Sequence, residues 1–280
     1  MESIPTGPFF RWTGNKKKTI PIILNHFPQH IPSYYECFLG SGAILLGLLQ
    51  EVEGKVRFVG QWHASDSNPF IIGLWKAIQC FPSLFMSFVD DLIGKERAAT
   101  NKKTFFYLVR HRLNQLTPSD FSSPMVAARF YFLCQRSYHG FLRVNRRGKL
   151  MPAFGNSNWK MMTHAECRRI HLLIQPVDFQ CIDCFHALEQ VKEKAMVYLD
   201  PPYFATFGAY TSRDFTLTRQ AKLFAWVKAQ TKRNYCHILL SYSDCPLIRG
   251  SFDCDLLFLI VNLKSGNRKE VLIRQNHQYS

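Results

Sequence analysis

Acidic residues are scarce in this sequence. Twenty Asp and Glu stand against 35 Lys and Arg, a formal net charge of +15 in 280 residues. Between Phe121 and Ala165 there is none, while the same stretch carries Arg129, Arg136, Arg143, Arg146, Arg147, Lys149 and Lys160. A solvated helix face mixes both signs. A one-sign block containing "RVNRRGKL" reads as a contact surface for a polyanion. A merely solvated basic loop would explain that block, but not the excess over the whole chain. No apolar run reaches the length of a spanning helix and no basic amphipathic segment stands out, so nucleic acid, not a membrane, is the expected partner. The opening "MESIPTGPFFRW" lacks the charged-then-apolar layout of a secretion signal, which places the expected location in the cytoplasm, with the nucleoid.

Missing spacings exclude further chemistries. The nine cysteines include a single C-x-x-C, Cys181 and Cys184, and neither a second pair nor a His pair follows at zinc spacing. The thiols read as reduced, small apolar residues, and no metal is expected. The glycines of "FLGSG" lack the third glycine of a dinucleotide fingerprint and the Lys-Ser/Thr of a P-loop. Internal repeats and low-complexity linkers are absent too, so the length fits one large domain or one carrying an insert.

What is present alternates between strand and helix in the first and last thirds, the pattern of an α/β sheet. "SYYECFL" reads as a strand running into the glycine turn and then an apolar helix, "AILLGLLQ". "VRFVGQWHASD", "AMVYLD", "CHILLSY" and "LLFLIV" are further strands. "TLTRQAKLFAWVKAQTKR" has helical period, with Thr216 or Thr218 as N-cap. "LLFLIVNL" and "KEVLIRQ" form a hairpin with Gly266-Asn267 at its tip. Residues 76 to 175 are mainly helical in pattern and rich in aromatics.

Three features carry chemistry. Gly40 and Gly42 follow a strand and precede a helix, where missing side chains let a ligand approach the backbone at a helix N-terminus; a packing turn would use the same glycines, and both readings stand. Asp66 ends the second strand about twenty residues on, placed to accept bonds from both hydroxyls of a ribose. It also suits helix capping, as does Asn68, with Pro69 in the first turn. Then "MVYLDPPY" stops a strand on Asp200, Pro201, Pro202 and Tyr203. Prolines cannot donate to a ladder, so the sheet ends at Asp200. Ligands of open α/β sheets bind beyond the carboxyl ends of strands. There a carboxylate and the Pro201 carbonyl can accept from an amino group while Tyr203 stacks on a flat ring.

In this order the segments resemble the Dam-like DNA adenine-N6 methyltransferases, the D12 class, which use S-adenosylmethionine. "RWTGNK" is similar to their N-terminal cofactor motif, "FLGSG" to the F-x-G-x-G turn, "SDSNP" to the D-x-N segment, and "SYHGFLRVNRRGKLMPAFG" to the target-recognition block. "GAYTSRDFTLTRQAKL" and "SGNRKEVLI" are similar to the stretch after the catalytic motif and to the final hairpin. The resemblance implies a Rossmann-like methyltransferase mixed sheet built from residues 1–75 and 176–280, with an inserted, mainly helical target-recognition domain at 76–175. It implies that Trp12, Lys16, Phe38, Gly40, Gly42, Asp66, Asp183 and Asp200 line the cofactor, and that Asp200, Pro201, Pro202 and Tyr203 hold the target base. Arg136, His139, Arg143, Asn145, Arg147 and Lys149 would meet double-stranded DNA. Asn15 stands where the family has glycine, and His139 where it has Asn.

The implied reaction is methyl transfer to the exocyclic amine of an adenine rotated out of the duplex, at GATC, by a monomer without metal. No covalent nucleophile is required. A ring-carbon cytosine methyltransferase would need a Pro-Cys pair, and the only neighbouring pair, Cys245-Pro246, has the reverse order. Other amino methyltransferases, acting on cytosine-N4 in DNA or on adenine in RNA, share D-P-P-Y. A non-catalytic DNA-binding relative is the remaining alternative.

Overall fold

The computed structural model describes residues 8–14, 16–116, 118–140, 145, 149–155, 160–203, 215–233, 235–252, 256–262 and 269–275. Its strands are β1 (His30–Glu36), β2 (Phe58–Asp66), β3 (Val177–Cys181), β4 (Met196–Leu199), β5 (His237–Ser243), β6 (Leu256–Asn262) and β7 (Lys269–Gln275). The chain divides into two compact units: 1–17, 40–50 and 68–181 form the first, and 18–39, 51–67 and 182–280 the second.

Among the described residues, the regular structure of the first unit is helical apart from β3. Its centre is the helix Pro124–Arg136, which packs against Pro69–Cys80, Pro82–Ala98 and Lys102–Leu113. "VAARFYFLCQ" is apolar almost all round, which suits a helix enclosed by others, and Phe130, Tyr131, Phe132, Leu133 and Cys134 are fully buried. The hydroxyl of Tyr131 takes bonds from the Met162 N–H at 2.7 Å and Gln135 Nε2 at 3.1 Å, so this core polar atom is satisfied. Helix starts are marked in the sequence. Proline occupies the first turn of Pro69–Cys80, Pro82–Ala98 and Pro124–Arg136. Asn68 and Asn101 cap through their side chains, and Thr163 with Glu166 forms a capping box on His164–Leu173. β3 was not among the expected strands. Val177 and Phe179 are buried and alternate with exposed Asp178, a single period too short to stand out.

Six strands of the second unit run in the order β2-β1-β4-β5-β7-β6. The first four are parallel, and β7 enters antiparallel between β5 and β6. This is a mixed α/β sheet of the Rossmann-like kind. β4, "MVYL", is buried at every position, as a central parallel strand must be. The helix Leu217–Arg233 lays Leu223, Phe224 and Val227 into the same core as Val197, Leu199, Leu240 and Ile248. Its first turn resolves the two threonines: the Arg219 N–H faces Thr216 Oγ1 at 3.4 Å. β1 begins three residues before "SYYECFL" and stops at Glu36, because the chain then bends and the Leu39 N–H turns to the Ser65 carbonyl at 3.0 Å. The hairpin pairing of β6 with β7 is as expected; its tip, Gly266-Asn267, lies outside the described residues.

Chain order reverses between β1 and β4, since β1 leads outward to β2 and β4 leads to β5. Sheets of this type present their ligand crevice at such a point, beyond the carboxyl ends of the strands. One side chain holds the opposite ends of the strands. Arg57 is 7% exposed and donates to the carbonyls of Phe27, Pro28 (2.7 Å) and Leu24 (2.8 Å), and to Glu51. Arg57→Met is expected to lower the unfolding free energy by about 2 kcal/mol, because it strands buried carbonyls and a carboxylate. A urea midpoint equal to wild type would show that those groups find water instead.

Candidate functional site

At the carboxyl end of β4 the chain leaves the sheet through Asp200, half-buried, and Pro201, buried. Tyr203 then turns back, and its hydroxyl donates to Asp200 Oδ1 at 2.8 Å. Burial, and next the charge of Asp200, hold the Tyr203 pKa well above its ordinary value, so the hydroxyl keeps its proton and remains a donor. A carboxylate offers about four acceptor positions, and one O–H donor does not exhaust them. Asp200 and Tyr203, singled out from the sequence separately for an amine and a flat ring, are thus one hydrogen-bonded pair.

Behind that pair stand residues the sequence did not single out. The Tyr242 ring, fully buried on β5, lies 5.0 Å from the Tyr203 ring at 47°, and its hydroxyl donates to Gln220, itself fully buried. On β4 the Tyr198 hydroxyl is bonded to Ser241 Oγ at 2.9 Å. At the end of β1, Glu36 is 3% exposed and accepts from the Tyr34 hydroxyl at 2.7 Å; a buried acid at the end of a strand next to β4 was the signal that could have found it. The neighbouring Cys37 thiol is raised by burial, and those of Cys184 and Cys236 are pushed up to about 11 and about 12. They stay protonated at neutral pH and are poor nucleophiles.

The glycine turn has a double cause. Gly40 and Gly42 have φ +47° and +61°, which favours glycine. A Cβ at Gly42 would come 2.2 Å from Trp75 Cζ2, and one at Gly40 3.1 Å from Trp12 Nε1. The helix Ala43–Glu53 follows directly, so backbone without side chains sits at a helix start. Trp12 thus belongs with the turn. Lys16 is 5% exposed, and its ammonium donates to the Gly14 carbonyl at 3.3 Å, closing the "RWTGNK" loop; Asn15 lies outside the described residues.

Asp66 is the last residue of β2 and half-buried. The capping it could have supplied is done by Asn68, which accepts from the Phe70 N–H at 3.0 Å. The polar-looking "GQWHASD" is largely interior: Trp62 is 5% exposed and His63 stacks on Tyr35 at 4.5 Å. Asp183 caps the helix Cys184–Glu189 through the Phe185 N–H at 3.0 Å and is ion-paired with Arg219. Phe38 meets Phe215 edge-on at 5.4 Å. A nucleoside needs bare backbone, apolar walls and acids for its hydroxyl and amino groups. Within the second unit, Asp66 and Asp183 supply the acceptors and Phe38 an apolar wall, a set whose chemistry fits an adenosine-bearing cofactor.

The basic block folds back on itself. Ser137 bridges to Phe154, the Tyr138 N–H donates to the Ala153 carbonyl at 2.9 Å, and the Gly155 N–H to that of Arg136 at 2.8 Å. The two ends of "SYHGFLRVNRRGKLMPAFG" are therefore adjacent, and Arg11 donates to the first of them at the Ser137 carbonyl, 3.0 Å away. Asn145 and Lys149 are exposed and bonded to each other, with the Lys149 N–H on Asn145 Oδ1 at 3.0 Å. Arg136 grips buried Glu96 with Nε at 2.8 Å and Nη2 at 3.0 Å. That pair gives Arg136 a structural task the sequence did not suggest, although a guanidinium has five donors. Tyr138, not singled out from the sequence, is 59% exposed, with a ring face large enough for a base. Arg143, Arg147 and the His139 side chain lie outside the described residues. Among those described, no group of three His, Cys, Asp or Glu could hold a metal, and no single helix is long and apolar enough to cross a membrane.

Comparison with known proteins bears on the same segments. A profile of the D12 class N6 adenine-specific DNA methyltransferases matches residues 12–266. The Type II methyltransferase M.MjaIII of Methanocaldococcus jannaschii is 28% identical over 84% of this chain and 84% of its own. The Retron Ec67 DNA adenine methylase of Escherichia coli is 27% identical over 86% of this chain and 79% of its own. The DNA adenine methylase of Escherichia coli K12 is 24% identical over 94% of this chain and 92% of its own.

Proposed function

Because this chain belongs to the D12 class of N6 adenine-specific DNA methyltransferases, we propose that it methylates the exocyclic amine of an adenine rotated out of duplex DNA, with Asp200, Pro201, Pro202 and Tyr203 holding that base. The observation that carries this reading is the Tyr203 bond to Asp200 at the end of β4. It couples the residue that faces a flat ring to the residue that accepts from its amine. Adenine inside a duplex is out of reach of the strand end, so the base leaves the stack. Its amine is a weak nucleophile because the lone pair is delocalised into the ring. Bonds to Asp200 and the Pro201 carbonyl orient the amine, and the gain is positioning and electrostatics. S-adenosylmethionine, which this family generally uses, supplies when bound a methyl group on a sulfonium. Asp66 accepts from its ribose and Asp183 from its adenine. Gly40 and Gly42 leave the backbone bare, and Phe38, Trp12 and Lys16 line the remainder.

Residues 76–175 are proposed to read the DNA, using Asn145, Lys149, Arg143, Arg147 and His139 together with the exposed Tyr138, and residues 1–75 and 176–280 to carry the chemistry. A monomer acting at GATC in the nucleoid completes the proposal. Duplex DNA incubated with the protein and cofactor labelled on its methyl group, then digested to nucleosides, is expected to give label in N6-methyldeoxyadenosine. Label in N4-methyldeoxycytidine would replace adenine by cytosine. No label despite DNA binding would make the chain a non-catalytic relative. Sequencing of the methylated product checks GATC.

A further inference from the structure

We propose that Arg219 is a positioning residue that clamps Asp183 and so makes the cofactor site selective for a 6-aminopurine. This rests on the cofactor reading above. Asp183 Oδ1 is held by the Phe185 N–H at 3.0 Å, and Oδ2 by Arg219 Nη2. Arg219 is itself held from two sides. Its guanidinium carbon lies 4.9 Å from the Phe185 ring centre and 5.7 Å from that of Phe215, within the reach of cation–π attraction. Its Nε is buried with no hydrogen-bond partner among the described residues, so the group is fixed by the rings and the carboxylate. Phe215 touches Phe38 in turn. The ion pair therefore sits against two aromatic rings, its side chains 34% and 35% exposed.

A carboxylate bonded at both oxygens cannot rotate, and its remaining lone pairs keep one direction. That suits an exocyclic N–H, which needs one acceptor in line. A 6-oxo purine would place a carbonyl against the same oxygens, acceptor facing acceptor, and a site built to receive a donor rejects an analogue without one.

The test is calorimetric titration of the full chain with S-adenosylhomocysteine and with its 6-oxo analogue, S-inosylhomocysteine. Wild type is expected to prefer the amino form. Arg219→Met, which keeps length between the rings, is expected to weaken binding of the amino form roughly tenfold, the effect of loosening one charge-assisted contact, and to bring the ratio of the two affinities towards one. Arg219→Lys recovers part of the preference. KM for the cofactor rises while kcat at saturation holds, a split that general loss of folded protein would not produce. Should Arg219→Met fail to fold, Arg219→Gln carries the same comparison. If the variants weaken both ligands equally and keep the wild-type ratio, Arg219 only supports the fold and this proposal alone falls. If wild type binds neither ligand, the cofactor reading falls and takes this one with it.

Discussion

Asp200→Asn is expected to slow single-turnover methyl transfer roughly a thousandfold, the scale of losing a preorganised electrostatic contact at a reacting centre, while duplex binding holds. The substitution is nearly isosteric at a half-buried position, so the fold should survive. What changes is chemical. The charge is lost, and one oxygen becomes an NH2 that donates where the target amine also donates. The Tyr203 hydroxyl, which gives its hydrogen to Asp200 at 2.8 Å, selects the remaining carbonyl and leaves the amide nitrogen towards the base.

Tyr203→Phe separates the ring from its hydroxyl. It retains the face on which a base can stack and the packing on Tyr242 at 5.0 Å, but removes the bond that orients Asp200. Its loss of rate should therefore be much smaller than that of Asp200→Asn, with DNA affinity unchanged. Rapid-quench measurement at saturating cofactor and DNA gives the rates, and filter binding gives the affinities. Transfer by Asp200→Asn at the wild-type rate would remove Asp200 from the reaction.

The parts legible in the sequence are those whose cause is local. "MVYL" followed by two prolines has one reading as a buried strand that must stop, and it is β4. The helix Leu217–Arg233 follows from its period and a threonine before it. What could not be read depends on partners far along the chain. Arg136 finds Glu96 forty residues away, Arg57 finds three carbonyls about thirty residues away, and Arg219 finds Asp183. An isolated arginine in a basic chain carries no sign of which carboxylate will hold it. The choice between Asp66 and Asn68 as helix cap was likewise open, because both residue types suit the task. Only backbone placement assigns it to Asn68. Tyr242 looked like any strand aromatic until β5 paired beside β4 and brought it under Tyr203.

Gly42 is the position where the sequence left two causes standing, ligand approach and packing, and one substitution separates them. In Gly42→Ala two independent penalties add. The residue sits at φ +61°, which costs an L-amino acid about 1–2 kcal/mol. Its new Cβ would lie 2.2 Å from Trp75 Cζ2, and overpacking a filled core costs about 1–3 kcal/mol. Trp75 has little room to yield: it is fully buried, stacks on Phe179 at 5.3 Å and meets Phe9 edge-on at 4.9 Å. The expected loss is about 3 kcal/mol without any ligand, a large share of the 5–15 kcal/mol typical of a domain. It is read as a lower urea midpoint at unchanged slope. Gly94→Ala is the control. Beyond its chain neighbours and its own helix backbone, no atom lies within 4 Å of a Cβ built there, and it sits inside the helix Pro82–Ala98, so it should gain about 0.5–1 kcal/mol. Trp75→Phe in the Gly42→Ala background should restore the packing share but not the backbone share, which makes the pair non-additive. If Gly42→Ala kept wild-type stability and lost only cofactor affinity, the glycine would be there for the ligand, and its fit against Trp75 would be incidental.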